Sequence, residues 1–357
     1  MAGGIERMAS AIMNEMCKKG HDISLLTWDQ GGAKSFYELD ENINWKKLSL
    51  GNHKNKAGWK IRLNRALKMR NFFSEIKPDV AIAFQHGTFI STRLYTFGMN
   101  VPIISAEREA PARFEHLKAG KWQWLIYQSF RLAKIITIQC EGYRKDYHEY
   151  LRKKTRTISN PVFSSKEFAS PSGRNSEKKQ LLCVGRLGYQ KNQQILIKAF
   201  AKITNDFPEW ELLLAGEGGD RNELENEVNK LKLQDKIHLP GAISDTHSLY
   251  CQSHLFCLPS RWEGFPNVVA EAMSHGLPVV GYAGCAGTNE LIEDGVNGLL
   301  AEGNGNIDSL AECLGKLMSD GEMREKMGKA GIESMKKYKP EIIFGQWENL
   351  FKEVAGQ

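Results

Sequence analysis

The chain has no run of eighteen or more apolar residues, the length that a helix needs to cross a bilayer. Its first residues, MAGGIERM, do not resemble a signal peptide, so we expect a protein that neither spans a membrane nor is exported. The seven cysteines, at positions 17, 140, 183, 251, 257, 285 and 313, are scattered and form no CxxC pair. This pattern predicts reduced, mostly buried thiols in the cytosol and no structural zinc site, with His247 and His254 as surface or core residues.

A complete dinucleotide-binding fingerprint is also missing. The segment AGEGGDR, residues 215–221, lacks the full G-x-G-x-x-G spacing, and no acidic residue is evidently placed after a following strand. A nicotinamide-dependent dehydrogenase is therefore a poor alternative. Stabilisation by NADH, without a response to UDP or GDP, would support that alternative.

The composition is that of a soluble globular protein, with 41% hydrophobic and 25% charged residues. The net charge of +6 hides an asymmetry, because residues 1–160 carry +12 and the remaining residues carry −6. A basic half suits anionic lipid, nucleic acid or a phosphorylated substrate, and a solvated basic surface is the alternative. Nucleic acid is the weakest of these candidates, because the basic residues form no recognisable binding motif.

Short β-rich segments alternate with longer amphipathic segments, which predicts an α/β fold of parallel sheets covered by helices. The polar stretch at residues 161–180 predicts a linker between two Rossmann-like domains, residues 1–160 and 181–339, that face a cleft. We expect the C-terminal helix, residues 340–357, to complete the first domain. Ligands of such sheets gather at the carboxyl ends of the strands. The predicted strands are DISLLTW, DVAIAF, VPIIS, IITIQ, QLLCVG, WELLLAG, HLFCLPS and LPVVGY.

The start of the chain is irregular. In a βαβ unit a strand enters the glycine turn, here Gly3-Gly4, and a helix follows, here predicted from Glu6 to Lys19. Only Met1 and Ala2 precede this turn, so the first strand of the N-terminal domain is missing. Either the chain is truncated or the sheet is built without that strand, and we favour truncation.

Two carboxylates in RWEGFPNVVAEAM, residues 261–273, are eight residues apart. Gly264 and Pro266 keep Glu263 out of a regular helix, whereas residues 267–275 have helical spacing of apolar residues. Glu263 is therefore predicted on a loop and Glu271 about one turn into a helix, both near its positive N-terminus. This arrangement suits an anionic, hydroxyl-rich ligand.

A second candidate loop follows the strand QLLCVG. Gly185 permits a close backbone turn, and Arg186 and Lys191 can point at the mouth of the cleft, where two cations suit a diphosphate. Alone, a solvated Arg and Lys is an equal alternative. A parallel sheet would bring this loop beside the carboxylates of Glu263 and Glu271, and carboxylates accept hydrogen bonds from sugar hydroxyls. The combination predicts a nucleotide-sugar site.

Several segments resemble family 4 glycosyltransferases, which are retaining enzymes of the GT-B fold. In the second domain these are GRLGYQKN, PSRWEGFPNVVAEAMSHGLPVV and NELIEDGVNGLL, with Glu263 and Glu271 matching the family's E-x7-E motif. In the first domain, GGIERMASAIMNEMCKKGHDISLLT, ISAEREAP and TISNPV have counterparts. The resemblance covers essentially the whole chain. It is strongest to cytoplasmic enzymes that extend undecaprenyl-diphosphate-linked glycans, such as N-acetylgalactosaminyltransferases.

The resemblance implies a role for each matching residue of the second domain. Arg186 and Lys191 would bind the donor diphosphate and stabilise its charge, while Glu271 would accept the ribose hydroxyls. Glu263 would contact hydroxyls of the donor sugar. Pro266 has no amide proton, so the amides that would reach the sugar or phosphate are those of Gly264, Phe265 and Asn267.

First-domain residues are assigned in the same way. His86 matches the family's histidine beside the transferred sugar, and a buried, satisfied histidine is the alternative. Glu107 would face the acceptor hydroxyl, and a structural pair with Arg108 is the alternative. Gly3 and Gly4 would let backbone approach the donor phosphate or the acceptor, and the missing strand before them is where this chain departs from the family.

The implied reaction moves a hexose or N-acetylhexosamine from a nucleotide-diphosphate sugar, with UDP the favoured nucleotide, to a lipid-diphosphate-linked glycan of a cell-surface polysaccharide such as O-antigen or capsule, or of a glycoprotein. The leaving phosphate would help remove the acceptor's proton. No Asp-x-Asp occurs in the chain, so an aspartate-chelated metal has no candidate and no cofactor is expected. The alternative is an inactive glycan- or lipid-binding protein of the same architecture.

Two basic stretches fit a lipid-linked acceptor. Residues 55–70 and 120–134 mix Lys and Arg with Trp, Phe and Leu at helical spacing, as helices at a membrane interface do. We therefore expect peripheral association with the inner face of the cell membrane. Ordinary core-facing helices with a solvated basic side are the alternative.

Overall fold

The computed structural model describes residues 4–51, 58–116, 118–173 and 178–356. Strands and helices alternate through both halves of this chain, as the β-rich and amphipathic segments predict. The strands of each half pair in parallel. The fold is therefore α/β with two Rossmann-like domains.

The first domain has short strands. Its strands are β1 (Ser24–Thr27), β2 (Asn44–Lys47), β3 (Ala81–Phe84), β4 (Ile103–Ala106), β5 (Ile135–Ile138) and β6 (Thr155–Thr157). Its helices are α1 (Gly4–Lys18), α2 (Trp59–Ile76), α3 (His86–Tyr95), α4 (Arg113–His116), α5 (Gln123–Ser129) and α6 (Glu149–Arg152). Short 3-10 turns lie at Lys118–Trp122, Phe130–Leu132 and Glu141–Asp146.

These six strands form two parallel sheets instead of one. β1 pairs with β2, and β3, β4, β5 and β6 form the second sheet in that order. Within the described residues, β1 and β3 each have one unpaired edge. Both strands pack on α2, because Leu26 and Ala81 contact the apolar cluster of Met69, Phe72 and Phe73.

The second domain has one continuous sheet of six strands. Its strands are β7 (Lys179–Val184), β8 (Trp210–Ala215), β9 (Ile237–Gly241), β10 (Leu255–Cys257), β11 (Val279–Tyr282) and β12 (Gly298–Ala301), in the order β12-β11-β10-β7-β8-β9. Its helices are α7 (Gln193–Ile203), α8 (Arg221–Leu231), α9 (Thr246–Gln252), α10 (Asn267–Ser274), α11 (Thr288–Leu291), α12 (Ile307–Ser319) and α13 (Gly321–Met335). A 3-10 turn at Lys336–Tyr338 follows.

The last helix, α14 (Pro340–Ala355), returns to the first domain. Its fully buried Trp347 shares an apolar cluster with Met16 of α1 and Ile104 of β4. At the surface, Glu348 of α14 accepts from Lys19 at 2.6 Å. The C-terminal helix therefore closes the face of the sheet that α1 also covers.

The two domains touch along the edge where their strands end. Tyr143 donates its phenol to the carbonyl of Gly264 at 2.8 Å, and the amide of Gly142 donates to Glu290 at 2.6 Å. A β-carbon added at Gly264 would lie 2.3 Å from the Arg108 carbonyl, so only glycine lets these loops approach so closely. Among the helices of the described ranges, none combines the length and apolarity needed to cross a membrane.

Candidate active site

The sheet order brings the two candidate loops of the second domain together. β7 and β10 are hydrogen-bonded neighbours, with Leu181 opposite Leu255. Because parallel neighbours end at the same edge, the loop after β7 and the loop between β10 and α10 meet there. Arg261 confirms the contact, since its amide donates to the Gln190 carbonyl at 2.8 Å.

Lys191 and Glu263 form an ion pair at this meeting point. The Lys191 Nζ lies 2.6 Å from the Glu263 Oε1, and the two side chains are only 18% and 7% exposed. A buried carboxylate needs such a partner because desolvation otherwise disfavours its charge. Beyond this contact, the Lys191 ammonium can still donate hydrogen bonds and the Glu263 carboxylate can still accept them. The pair can therefore offer a ligand both a cationic donor and an acceptor.

Gly185 and Arg186 begin the turn that leads to Lys191, and Gly185 packs against the Lys191 side chain. A β-carbon on Gly185 would lie 3.3 Å from the Lys191 side chain, and one on Gly216 would lie 2.0 Å from the Gly185 carbonyl. The backbone of this turn is thus packed against two neighbours. Arg186 is exposed, and its guanidinium makes no ion pair within the described part of the chain.

The loop before α10 presents free backbone donors. Within the described ranges, the amides of Gly264 and Phe265 donate to no protein acceptor, whereas the Asn267 amide donates to the Phe265 carbonyl at 2.9 Å. The Phe265 ring is buried and packs edge-on against Tyr338. Pro266 precedes the first turn as the N-cap residue. Two of the three predicted amides are therefore available at the positive end of α10.

Glu271 lies at the fifth position of α10 and faces the first domain. Its Oε1 accepts from the Arg7 guanidinium at 2.9 Å and its Oε2 from the Tyr250 phenol at 3.0 Å. It lines a cavity of about 790 Å³ between α1, α9, α10 and the linker. The structure thus pairs this carboxylate with Arg7, separately from the Lys191–Glu263 pair.

His86 and Glu107 come together at the strand ends of the first domain. His86 follows β3 as the first residue of α3, and its Nδ1 lies 3.7 Å from the Glu107 Oε2. The Glu107 Oε1 accepts from Ser105 at 3.0 Å. The Nδ1 of His86 is buried and has no hydrogen-bond partner among the described residues.

Arg108 does not pair with Glu107, which overturns the structural alternative for that carboxylate. Its buried guanidinium binds the Asn160 side chain, and Asn160 in turn donates to the Asn267 side chain at 2.7 Å. Burial lowers the pKa of Arg108 to about 10. Arg108, which follows β4 of the first domain, is thus linked through Asn160 to the first residue of α10.

The glycines at the start of the chain are only partly described. Gly3 lies outside the described residues. Gly4 begins α1, and a β-carbon on it would lie 3.5 Å from the Asn267 side chain. The start of α1 therefore lies against the start of α10, at the domain boundary.

Sequence reasoning missed the contacts that cross between domains. Arg7 is 264 positions from Glu271, and Tyr143 is 121 positions from Gly264, so no local spacing marks them. His247 and Cys251, by contrast, are four residues apart, and this spacing in the sequence indicates that they share one face of α9.

The two basic stretches expose their tryptophan side chains and bury other large apolar side chains, such as Met69 and Phe130. Residues 55–57 lie outside the described chain, and the rest of the first stretch forms the start of α2, where Trp59 is 71% exposed. In the second stretch Trp122 is 63% and Trp124 is 64% exposed, while Ile126 and Tyr127 pack inward. The tryptophans are therefore not core residues.

Family models match almost the whole chain. The model "Glycosyltransferase Family 4" matches residues 2–165, and the model "Glycosyl transferases group 1" matches residues 164–334. The chain belongs to the glycosyltransferases built from these two domains, and its fold is GT-B.

Individual relatives and solved structures cover both domains. The chain is 28% identical to a Campylobacter jejuni alpha-1,4-N-acetyl-D-galactosaminyltransferase acting on an undecaprenol-diphosphate-linked glycan, over 99% of this chain and 96% of that protein. Sucrose-phosphate synthase from Thermosynechococcus elongatus has a similar fold, with a TM-score of 0.84, 17% identity, and coverage of 99% and 94%. The structure of an Anabaena protein in complex with UDP and glucose is similar with a TM-score of 0.78 and 18% identity, over 98% of this chain and 96% of that protein.

Proposed function

We propose that this glycosyltransferase moves a hexose or N-acetylhexosamine, with retention of anomeric configuration, from a UDP sugar to a lipid-diphosphate-linked glycan. The product would belong to a cell-surface polysaccharide or a glycoprotein glycan. The Lys191–Glu263 ion pair carries the proposal, because a cation lies beside a carboxylate that would accept hydrogen bonds from sugar hydroxyls, at the edge of the sheet. The Campylobacter relative supports the lipid-linked acceptor, and the Anabaena complex supports UDP.

The donor would be held by charges of both signs. Lys191 and the exposed Arg186 would neutralise the diphosphate, and the free amides of Gly264 and Phe265 would donate to its oxygens. Glu271 would accept the ribose hydroxyls after exchanging its bond with Arg7. Charge-assisted bonds of this kind contribute about 1.5 to 3 kcal/mol each.

The chemistry would be substitution on one face of the sugar. The bond from the anomeric carbon to the diphosphate oxygen breaks while the acceptor hydroxyl attacks from the same side, and its proton passes to the leaving phosphate. Lys191 and Arg186 stabilise the growing negative charge, and preorganised donors of this kind contribute about 10²- to 10³-fold each. The proposal uses these two cations in place of a metal ion, and His86 would contact the transferred sugar.

The first domain would bind the acceptor at the cytoplasmic face of a membrane. Exposed Trp59, Trp122 and Trp124 lie within basic stretches, a pattern typical of helices that rest at the bilayer interface. The +12 charge of residues 1–160 would add attraction to anionic lipid. Glu107, beside His86, would face the acceptor hydroxyl.

A panel of nucleotide sugars tests this function. Purified protein is incubated with radiolabelled UDP and GDP sugars and a lipid-diphosphate glycan, and transfer is counted. We expect turnover with one UDP sugar, and failure with every donor and acceptor would contradict the proposal. A protein that binds a UDP sugar yet never turns over would favour the alternative of an inactive glycan- or lipid-binding protein.

A further inference from the structure

Four side chains with metal-ligating groups cluster where α9, α10 and the linker meet. His247 and Cys251 are four residues apart on one face of α9, and His275 directly follows α10. One ligand atom from each of these three lies within 4.8 Å of the others. From the linker, the Glu167 Oε2 lies 3.3 Å from the His247 Nε2.

The ring of His275 is oriented as metal-bound histidines are. Its Nδ1 lies 2.7 Å from the carbonyl of Glu271, so this nitrogen carries the proton and donates it. The Nε2 is left with a lone pair, which faces the His247 Nδ1 at 2.8 Å. A backbone carbonyl on the second nitrogen is the usual partner of a metal-ligating histidine, because it fixes both tautomer and ring direction.

The donor set selects the kind of ion. Two imidazoles, a thiol and a carboxylate suit zinc, whereas magnesium and calcium prefer oxygen ligands alone. Tetrahedral zinc with ordinary bond lengths places its nitrogen and sulfur ligands about 3.3 to 3.6 Å apart. Here the His247 Nε2 lies 3.8 Å from the Cys251 Sγ, a few tenths of an ångström beyond that spacing.

In contrast to the sequence-based expectation of no zinc site, we propose that His247, Cys251 and His275, with Glu167 as the fourth ligand, form a zinc-binding site. The site goes beyond glycosyl transfer and uses no residue assigned to the donor. A bound ion would tie the linker to α9 and α10, one turn from Glu271.

Cobalt spectroscopy tests the site directly. Untagged protein, freed of metal by a chelator, is titrated with Co²⁺ and then with Zn²⁺. We expect one Co²⁺ per chain with a thiolate-to-cobalt charge-transfer band, and displacement of that band by one equivalent of Zn²⁺. Cys251→Ser should abolish the band, and Cys251→Ser and His275→Asn should each weaken Zn²⁺ binding more than about tenfold.

Two matched variants control for unspecific binding. Cys313→Ser removes another partly exposed thiol, and His238→Asn removes an imidazole that also lies 3.3 Å from a carboxylate, that of Glu211. Both should bind zinc as the unchanged protein does. Failure to saturate with either ion, or Zn²⁺ binding of unchanged affinity in Cys251→Ser, would overturn the site. Glu167→Gln, at an exposed position, replaces His275→Asn if that variant does not fold.

Discussion

Both domains have an α/β fold, but their β-sheets differ in size and continuity. The second domain has six strands in one sheet, and every residue of β10 and β11 is buried. The first domain divides its strands between two sheets, and no residue of β1 or β2 is fully buried. The continuous sheet provides a rigid edge on which neighbouring loops meet, as Lys191 and Glu263 do.

The first domain differs in its surface as well as in its sheet. It exposes Trp59, Trp122, Trp124 and Phe97, whereas the buried aromatics of the second domain, such as Trp210 and Tyr282, fill its core. Exposed aromatic side chains among basic residues favour contact with a membrane surface or with another protein. This difference agrees with the proposal that the second domain binds the donor and that the first domain contacts the acceptor and the membrane.

The largest expected effect tests the donor side. Lys191→Ala should lower sugar transfer at least about 10²-fold, because a cation that opposes the leaving diphosphate is lost. The measurement is kcat/KM for the active UDP sugar, with circular dichroism to establish folding. Lys198→Ala, on α7 and paired with Glu227 at 3.8 Å, is the matched control. A folded Lys191→Ala enzyme with the wild-type rate would remove Lys191 from the site.

Glu271→Ala should cause a similar loss, at least about 10²-fold in transfer, because ribose hydroxyls lose their acceptor. Arg7→Ala removes only the partner of this carboxylate, and exposed ion pairs contribute at most about 1 kcal/mol, so its effect should stay below about fivefold. UDP binding by calorimetry separates the two variants. Equal losses in both would mean that the ion pair, not the ribose contact, matters.

A smaller effect tests the first domain. The double variant Trp122→Ala, Trp124→Ala should weaken binding to anionic vesicles about tenfold, because two exposed rings no longer enter the interface. UDP affinity should not change. Val296→Ala, an exposed apolar position of the second domain, is the control, and vesicle binding that the tryptophans do not affect would contradict the membrane assignment.

The smallest effect concerns the acid response of the second domain. Burial lowers the pKa of His254, next to β10, to about 4 from 6.5. Between those pH values the unfolded chain binds more protons, so the free energy of unfolding should fall as pH falls. His254→Gln should flatten this slope, as measured by urea unfolding followed at several pH values. An unchanged slope would show that His254 does not contribute.

The sequence predicts the buried strands better than the edge strands. β7, β8 and β11 are continuous apolar runs and were predicted, since both faces of these strands are covered. The strands β2, β6, β9 and β12 were missed. β2 is NWKK, β6 has three residues, and β9 contains Pro240 with positions facing solvent, so apolar patterning is weak in them.

The candidate site divides in the same way. Lys191 and Glu263 could be predicted together because neighbouring parallel strands bring their loops to one edge. The pairing of Arg7 with Glu271 and the chain from Arg108 through Asn160 to Asn267 depend on how two domains dock, which no local pattern encodes. The same holds for His275, which joins His247 only through tertiary packing.

Calorimetric titration with UDP tests the central claim most directly. The account predicts saturable binding of one UDP per chain, weakened strongly by Lys191→Ala and by Glu271→Ala in folded proteins and unchanged by Lys198→Ala. Binding of UDP with the same affinity in all three variants, or no binding of UDP or GDP by the unchanged chain, would contradict it.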